Sequence, residues 1–134
     1  MTGRRNVSSA SAFEDVVGYS RAVRAGDHVW VSGTTAADPD GGPPVGGDDP
    51  HAQTAEALRR VTAALAEVGA TAADVVRTRM FVTDIARWPE VARAHAEVFG
   101  EVRPAATMVE VSRLIAPGLL VEVEAEAWVG TAPR

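Results

Sequence analysis

Apolar and polar residues alternate strictly in the C-terminal third of the chain. Between Leu119 and Val129, valine and alanine occupy one set of positions and glutamate occupies most of the other. Because successive side chains of a strand point to opposite faces, this pattern predicts a strand with one apolar and one acidic face. The segment Thr107 to Leu114 alternates in the same way, and the turn dipeptide Pro117-Gly118 lies between the two. We therefore predict that they form a closing antiparallel hairpin.

Three more strands are predicted closer to the N-terminus. Tyr19 to Ala25 and His28 to Gly33 are separated by Gly26-Asp27, a pair suited to a two-residue hairpin turn. Asp74 to Thr83 is rich in valine, threonine and bulky apolar residues, which favours a long strand. Strands therefore lie at both ends and in the middle of the chain.

Two amphipathic helices are predicted between these strands. Asp49 followed by Pro50 is typical of a helix start, and apolar residues then recur at three- and four-residue steps until Gly69. Pro89 to Phe99 has the pattern of a second helix. His95 lies in its apolar stripe, where we interpret it as a core histidine rather than a metal ligand.

The element order ββ-α-β-α-ββ predicts one α+β domain with both helices on one face of a mixed, antiparallel-rich sheet. Its length of 134 residues agrees with a single domain, whose core spans about residues 19–129. Residues 37–50 are rich in Asp, Gly and Pro and are interpreted as a connecting loop. Their aspartates lack the order of a calcium-binding EF-hand loop.

The predicted sheet has a charged face that admits two interpretations. Glu122, Glu124 and Glu126 share it with Arg77 and Arg79. It is either the solvated face of a half-buried sheet or a surface that packs against copies of itself, with an arginine neutralising the glutamates. Large side chains on the same face favour the second interpretation: Phe81, Met108 and Trp30 or Trp128.

Composition excludes several kinds of covalent chemistry. All thirteen Lys and Arg residues are arginine, and the chain contains no cysteine. Without lysine no side-chain Schiff base can form, and without cysteine there is no thiolate nucleophile, disulfide or thiolate metal site. The three histidines have no metal-ligand spacing, so we expect no metal.

Charge and hydropathy limit the expected partners and location. A formal charge of −5 and a pI near 5.1 disfavour nucleic acid as a main partner. No stretch approaches the roughly 20 apolar residues of a membrane span, and no signal-peptide h-region is present. We expect a cytoplasmic protein with no membrane partner.

Several short motifs together resemble the RidA (YjgF) family. They are Val17–Val23, Val31–Gly33, Val82–Ile85, Arg103–Ala105, Val109–Val111 and Val121–Glu124. The resemblance implies a chorismate-mutase-like fold that assembles as a homotrimer around a barrel-like interior, with small-molecule clefts between subunits. It further implies, for the deaminase branch, hydrolysis of enamines and imines to a 2-oxo acid and ammonia without a cofactor.

One position departs from the deaminase branch of this family. There an arginine that follows the Pro-Ala of the motif pairs with the substrate carboxylate, whereas this chain has Ala106. Loss of such a charge-assisted partner costs on the order of 1.5 to 3 kcal/mol. We therefore expect poor binding of simple 2-imino acids.

Other site positions carry over from the resemblance. It implies that Tyr19 offers its hydroxyl to substrate or water and that Glu122 orients the attacking water. Substrate-binding positions are also implied on two segments: Ser32 and Gly33, and Ala106, Thr107 and Met108.

Two arginines are candidates to replace the one missing at position 106. Arg103 lies three residues earlier, in a loop that would reach the cleft from the side. Arg79 would lower the pKa of Glu122 and offer an anion site if it projected toward that carboxylate. For each, a structural or surface role is the alternative.

Three function classes follow. The first is an enamine or imine hydrolase, supported by Tyr19 and Glu122. The second is a non-catalytic trimer that binds a metabolite or partner protein in the same cleft, supported by Ala106. The third is a ribonuclease, which the acidic charge balance and the lack of a histidine pair disfavour.

Overall fold

Six strands and three α-helices are present in the computed structural model, which describes residues 3–9 and 11–130. The strands are β1 (Arg4–Val7), β2 (Ala22–Ala25), β3 (His28–Thr34), β4 (Val75–Val82), β5 (Ala105–Glu110) and β6 (Val121–Trp128). The helices are α1 (Ala12–Val17), α2 (Pro50–Glu67) and α3 (Trp88–Phe99), and short 3₁₀ turns precede β4 and α3. The strands form a single sheet in the order β1-β2-β3-β6-β4-β5.

The predicted N-terminal hairpin is confirmed. Strands β2 and β3 are antiparallel, with Ala25 opposite His28. Gly26 has a φ of 60°, the left-handed conformation that such a two-residue turn requires. Strand β2, the first strand of this hairpin, begins at Ala22 rather than Tyr19. Strand β1 is an edge strand that the sequence did not predict. In β1 only Val7 is buried, so the apolar pattern there is too weak to read.

The predicted closing hairpin is wrong. Strand β6 lies between β3 and β4 and is antiparallel to both, whereas β5 pairs in parallel with β4 at the sheet edge. The β4–α3–β5 segment is a crossover unit, which is how parallel neighbours are joined. Alternation reports which face of a strand is buried, but it does not report which strand lies beside it. For that reason the pattern of β5 and β6 fits either pairing.

Helices α2 and α3 cover one face of the sheet, as predicted. The side chain of Asp49 accepts hydrogen bonds from the N–H groups of His51 and Ala52 and caps α2. Thr78 of β4 is buried on the covered face, and its Oγ1 lies 2.9 Å from Nε2 of His95 in α3. Fully buried residues from α2 and β6 form the core beneath: Leu58, Val61, Leu65, Val121 and Val123.

The other face of the sheet carries charge and exposed aromatic rings. Nη1 of Arg79 lies 3.0 Å from Oε1 of Glu124 and 3.2 Å from Oε1 of Glu126. Arg79 thus neutralises two of these glutamates within a single chain. Trp30 and Trp128 on this face are 43% and 40% exposed. The prediction that Met108 shares this face is wrong, because Met108 is opposite buried Met80 and packs against the core under the helices. A single chain thus leaves substantial apolar surface exposed on its charged face.

Candidate functional site

Four of the predicted site residues come together where β3 ends and β6 begins. They are Tyr19, Ser32, Gly33 and Glu122. Tyr19 immediately follows α1, whose C-cap Gly18 has a φ of 86°. Ser32 donates its hydroxyl to the carbonyl of Ser20 at 2.7 Å, which ties this segment to β3. Glu122 is the second residue of β6. Tyr19, Ser32 and Glu122 are half-buried, so each retains access to a small molecule.

A β-bulge shapes the β3 side of the site. Val31 is opposite Ala125 and Thr34 is opposite Val123, so Ser32 and Gly33 together face a single β6 residue. Such bulges are common beside active sites because they redirect the chain locally. Here the bulge places Gly33 beside the side chain of Glu122.

Close contact with Gly33 defines the position of the Glu122 carboxylate. A Cβ atom built on Gly33 would overlap Oε2 of Glu122 and would lie 2.8 Å from its Cδ. Only glycine allows the carboxylate to lie this close to the backbone. The glycine that the family resemblance singled out thus has a definite steric role.

Burial raises the pKa of the Glu122 carboxyl above its ordinary value. The nearby charge of Arg21 lowers this pKa, and the negative charge of Glu124 raises it, but burial dominates. Arg79 was a candidate for a cation beside Glu122, but its hydrogen bonds go to Glu124 and Glu126, so the alternative of a structural ion pair is the one observed. The cation that acts on Glu122 is therefore Arg21.

Arg21 is a site residue that the sequence did not single out. Its Nη1 donates to the carbonyl of Gly33 at 2.6 Å and to Oγ1 of Thr34 at 3.0 Å. Its Nη2 donates to the hydroxyl of Tyr19 at 3.1 Å. The signal was present, because residues two apart on an extended segment share a face, and Tyr19 was already a candidate.

A buried carboxylate lies behind Arg21. Glu14 is 6% exposed, and its Oε2 lies 3.9 Å from Nε of Arg21. Burial opposes the charged form of Glu14, but hydrogen bonds from Ser9 and Ser8, with the charge of Arg21, lower its pKa. The segment that contains α1 is thereby connected to the site.

The remaining candidates lie elsewhere in the same chain. Ala106, Thr107 and Met108 belong to β5, which is three strand positions from β3, or about 14 Å at the usual strand spacing. Ala106 is opposite Thr78 on the helix-covered face, whereas Glu122 is opposite Phe81 on the charged face. Within this chain these residues do not join the Tyr19 cluster.

Arg103 lies just before β5 and is also remote from that cluster. It is exposed and has a φ of 58°. In the described part of the chain, no group of three or more His, Asp or Glu side chains is arranged to hold a metal ion. Among residues 3–9 and 11–130, none of the helices combines the length and apolarity needed to cross a bilayer.

Comparison with known proteins gives consistent matches across nearly the whole chain. The family model described as endoribonuclease L-PSP matches residues 9–129. A crystal structure of a YjgF/YER057c/UK114 family member from Mycobacterium tuberculosis is 58% identical, covers 95% of this chain and 100% of that one, and superposes with a TM-score of 0.86.

Two curated relatives extend these matches. A RutC family protein of Pyrococcus abyssi is 36% identical over 110 residues, which is 82% of this chain and 85% of the relative. The 3-aminoacrylate deaminase RutC of Acinetobacter baylyi is 33% identical over 111 residues, which is 83% of this chain and 86% of the relative.

Proposed function

The chain belongs to the RidA (YjgF) family, and from that premise we propose that it is a hydrolase that deaminates an enamine- or imine-type metabolite with water as the nucleophile. The observation that carries the proposal is the half-buried Glu122 carboxylate against the backbone of Gly33. Its raised pKa makes it a stronger base than an exposed glutamate. Tyr19 provides a hydroxyl in the same cluster.

The proposed reaction begins when Glu122 takes a proton from water and the water oxygen bonds to the imine carbon. The electron pair of the C=N bond moves to nitrogen, which takes the proton from Glu122, and an aminol results. Glu122 then takes the hydroxyl proton, the C=O bond forms, and the C–N bond breaks. Nitrogen receives that proton and leaves as ammonia. One imine and one water thus give one carbonyl compound and one ammonia, and an enamine enters as its imine tautomer.

Substrate binding in this proposal depends on Tyr19 and on backbone groups of Ser32, Gly33 and Thr107. Ala106 offers no charge to a carboxylate, so simple 2-imino acids are disfavoured. One relative is named a 3-aminoacrylate deaminase. In that compound a carbon atom separates the carboxylate from the carbon that bears nitrogen, so we propose substrates whose anion is absent or displaced in this way.

The proposal includes a homotrimer with the cleft between subunits. Residues 106–108 of β5 would then line a cleft whose other wall is the Tyr19 cluster of a neighbouring subunit. Two observations support this arrangement: β5 is remote from the cluster within one chain, and Trp30 and Trp128 are exposed on the charged face. Covering such rings in an interface releases apolar surface from water.

A second candidate function is binding of a metabolite or partner protein without turnover, which Ala106 favours. We do not extend ribonuclease activity to this chain. Glu122, Glu124 and Glu126 lie on the face that bears the cluster, and their carboxylates repel phosphate.

Ammonia release tests the proposal. Imines are generated in solution by an amine oxidase or amino-acid oxidase, with catalase present. The panel includes 2-iminobutyrate, 3-aminoacrylate and an imine without a carboxylate. We expect the protein to accelerate hydrolysis of the second or third, and Glu122→Gln to reduce the acceleration by about 100-fold or more.

Glu101→Gln, at an exposed position outside the cluster, is the matched control and keeps full activity. If the folded protein accelerates none of the three imines, the hydrolase proposal is wrong and the binding function takes its place.

A further inference from the structure

Arg21 is enclosed by the candidate site rather than exposed beside it. Its side chain is only 11% exposed. Three of its five N–H donors are used, by Gly33, Thr34 and Tyr19. Gly33 is also the residue on which the Glu122 carboxylate lies. A single guanidinium therefore contacts the hydroxyl of Tyr19 and the backbone that supports Glu122.

We propose that Arg21 is a positioning residue that presents the Tyr19 hydroxyl to the substrate as a hydrogen-bond donor and keeps a fixed positive charge beside Glu122. The inference rests on the proposed function, because it concerns how the same cleft binds and activates its substrate. In this role Arg21 acts through Tyr19 and Glu122 and does not contact the substrate itself.

The direction of one hydrogen bond determines what Tyr19 can do. Nη2 of Arg21 donates to the Tyr19 oxygen, and a guanidinium has no acceptor to offer in return. Among the described residues no group accepts the phenol proton. The O–H of Tyr19 is therefore available to donate to a ligand acceptor such as a carbonyl oxygen, a carboxylate oxygen or an imine nitrogen.

Arg21 itself is poorly placed to bind a substrate carboxylate. Both Nη1 hydrogens are engaged by protein oxygens, and Nη2 already contacts Tyr19. The side of the guanidinium that includes Nε faces the Glu14 carboxylate at 3.9 Å. A bidentate carboxylate needs two free, parallel N–H groups. Arg21 therefore does not replace the arginine missing at position 106.

Among the groups that face Glu122, Arg21 is the one whose charge attracts the Glu122 carboxylate. On β6 the neighbouring charge is Glu124, which repels the Glu122 carboxylate. From β4, Phe81 is opposite Glu122 and is uncharged, and Arg79 is bound to Glu124 and Glu126. From β3, Gly33 contributes only backbone. Removing the charge of Arg21 leaves burial and Glu124 unopposed, so the carboxylate of Glu122 becomes harder to ionise.

The first experiment titrates Glu122 without using activity. Protein with ¹³C-labelled glutamate is followed by NMR against pH, and Glu122→Gln identifies the resonance. We expect Arg21→Gln to raise the Glu122 pKa and Arg21→Lys, which keeps the charge, to raise it less. Arg24→Gln is the matched control, because Arg24 also donates to backbone carbonyls, those of Gly26 and Val68. It leaves the titration unchanged.

The second experiment uses Tyr19, the single tyrosine of the chain. The intensity ratio of the tyrosine Raman doublet reports whether the phenol oxygen accepts a hydrogen bond. It should change in both Arg21 variants and not in Arg24→Gln. If Arg21→Gln does not fold, Arg21→Lys alone tests the inference, because it keeps the charge but loses the planar fork that reaches Tyr19 and Gly33 together.

Kinetics with an imine that the protein hydrolyses completes the test. We expect Arg21→Gln to lower kcat/KM at neutral pH by about 10- to 100-fold and to shift the acid limb of the pH profile upward. Adding Tyr19→Phe to Arg21→Gln should cost little more, because the Tyr19 interaction already depends on Arg21.

The outcomes distinguish the inference from the proposed function. An unchanged Glu122 titration or Raman doublet in folded Arg21 variants, or losses that multiply in the double variant, overturns the role of Arg21. Absence of imine hydrolysis in the unaltered protein overturns the hydrolase proposal instead, and the titration and Raman measurements still decide whether Arg21 positions Tyr19 and Glu122.

Discussion

Replacing Gly33 by alanine tests the proposed requirement of catalysis for a glycine beside Glu122 and separates it from any role in folding. The new Cβ would overlap Oε2 of Glu122 and lie 2.8 Å from Cδ, whereas ordinary contacts begin at 3.4 Å. The atoms it meets are the far end of a flexible side chain, so the carboxylate moves by about 1 Å while the backbone stays. A misplacement of about 1 Å costs roughly 100-fold in kcat/KM, or about 2.7 kcal/mol of transition-state stabilisation.

Stability should change much less than activity. The φ of Gly33 lies outside the left-handed region, so alanine adopts this backbone without strain. Alanine also reduces the conformational freedom of the unfolded chain, which offsets part of any cost in the folded state. We expect the free energy of unfolding to change by less than about 1 kcal/mol. The assay is ammonia release from the preferred imine, together with urea unfolding of the same preparation.

Gly42→Ala is the matched control. Its Cβ would meet Oδ2 of Asp38 at 2.6 Å, again the end of a flexible acidic side chain, but in the exposed loop before α2. It should keep full activity. If Gly33→Ala retains activity within about twofold, or loses it only in proportion to the unfolded fraction, Glu122 does not act from the position described.

Four further predictions concern specificity, stability and assembly. Ala106→Arg should gain turnover of 2-iminobutyrate by about 10-fold or more in the ammonia assay, and no gain would contradict the assigned role of position 106. Gln53→Ala removes a fully buried side chain that makes three hydrogen bonds to backbone groups, so urea unfolding should show a loss of about 2 to 4 kcal/mol; a loss below about 1 kcal/mol would contradict it. Hydrogen bonds from Arg59 and Arg60 lower the pKa of Glu56 from 4.5 to about 2. The charged Glu56 contributes about 1 kcal/mol to the free energy of unfolding, after allowance for the exposed Arg59. This contribution is present above pH ~4.5 and is lost as the pH falls to ~2, and acid-unfolding curves of Glu56→Gln should not show that loss. Light scattering should give the mass of a trimer, and a monomer at assay concentration would refute the intersubunit cleft.

Much of the fold follows from local patterns. The helix start at Asp49 and the hairpin at Gly26 each depend on a few neighbouring residues with specific backbone preferences, and both agree with the structure. The burial of one face of β6 follows from its alternation. These features are local because caps, turns and pleats involve groups only a few residues apart.

The site was only partly predictable for a related reason. Tyr19, Gly33 and Glu122 were identified as site residues through their motifs. Arg21 lies in one of these motifs, Val17–Val23, but the motif gave it no role in the site. Its role depends on Tyr19, two residues away, and on Gly33, twelve residues away. The proximity of these groups is created by the pairing of β2 with β3.

By itself, the sequence determined the two long helices, the N-terminal hairpin, the buried faces of β3, β4 and β6, and the absence of lysine and cysteine side-chain chemistry. Only the tertiary structure decided that β6 lies between β3 and β4, that Arg79 binds Glu124 and Glu126, and that Arg21 is the cation beside Glu122. The physical reason is that side-chain periodicity is a property of one strand, whereas the neighbours of a charge depend on strand order and register.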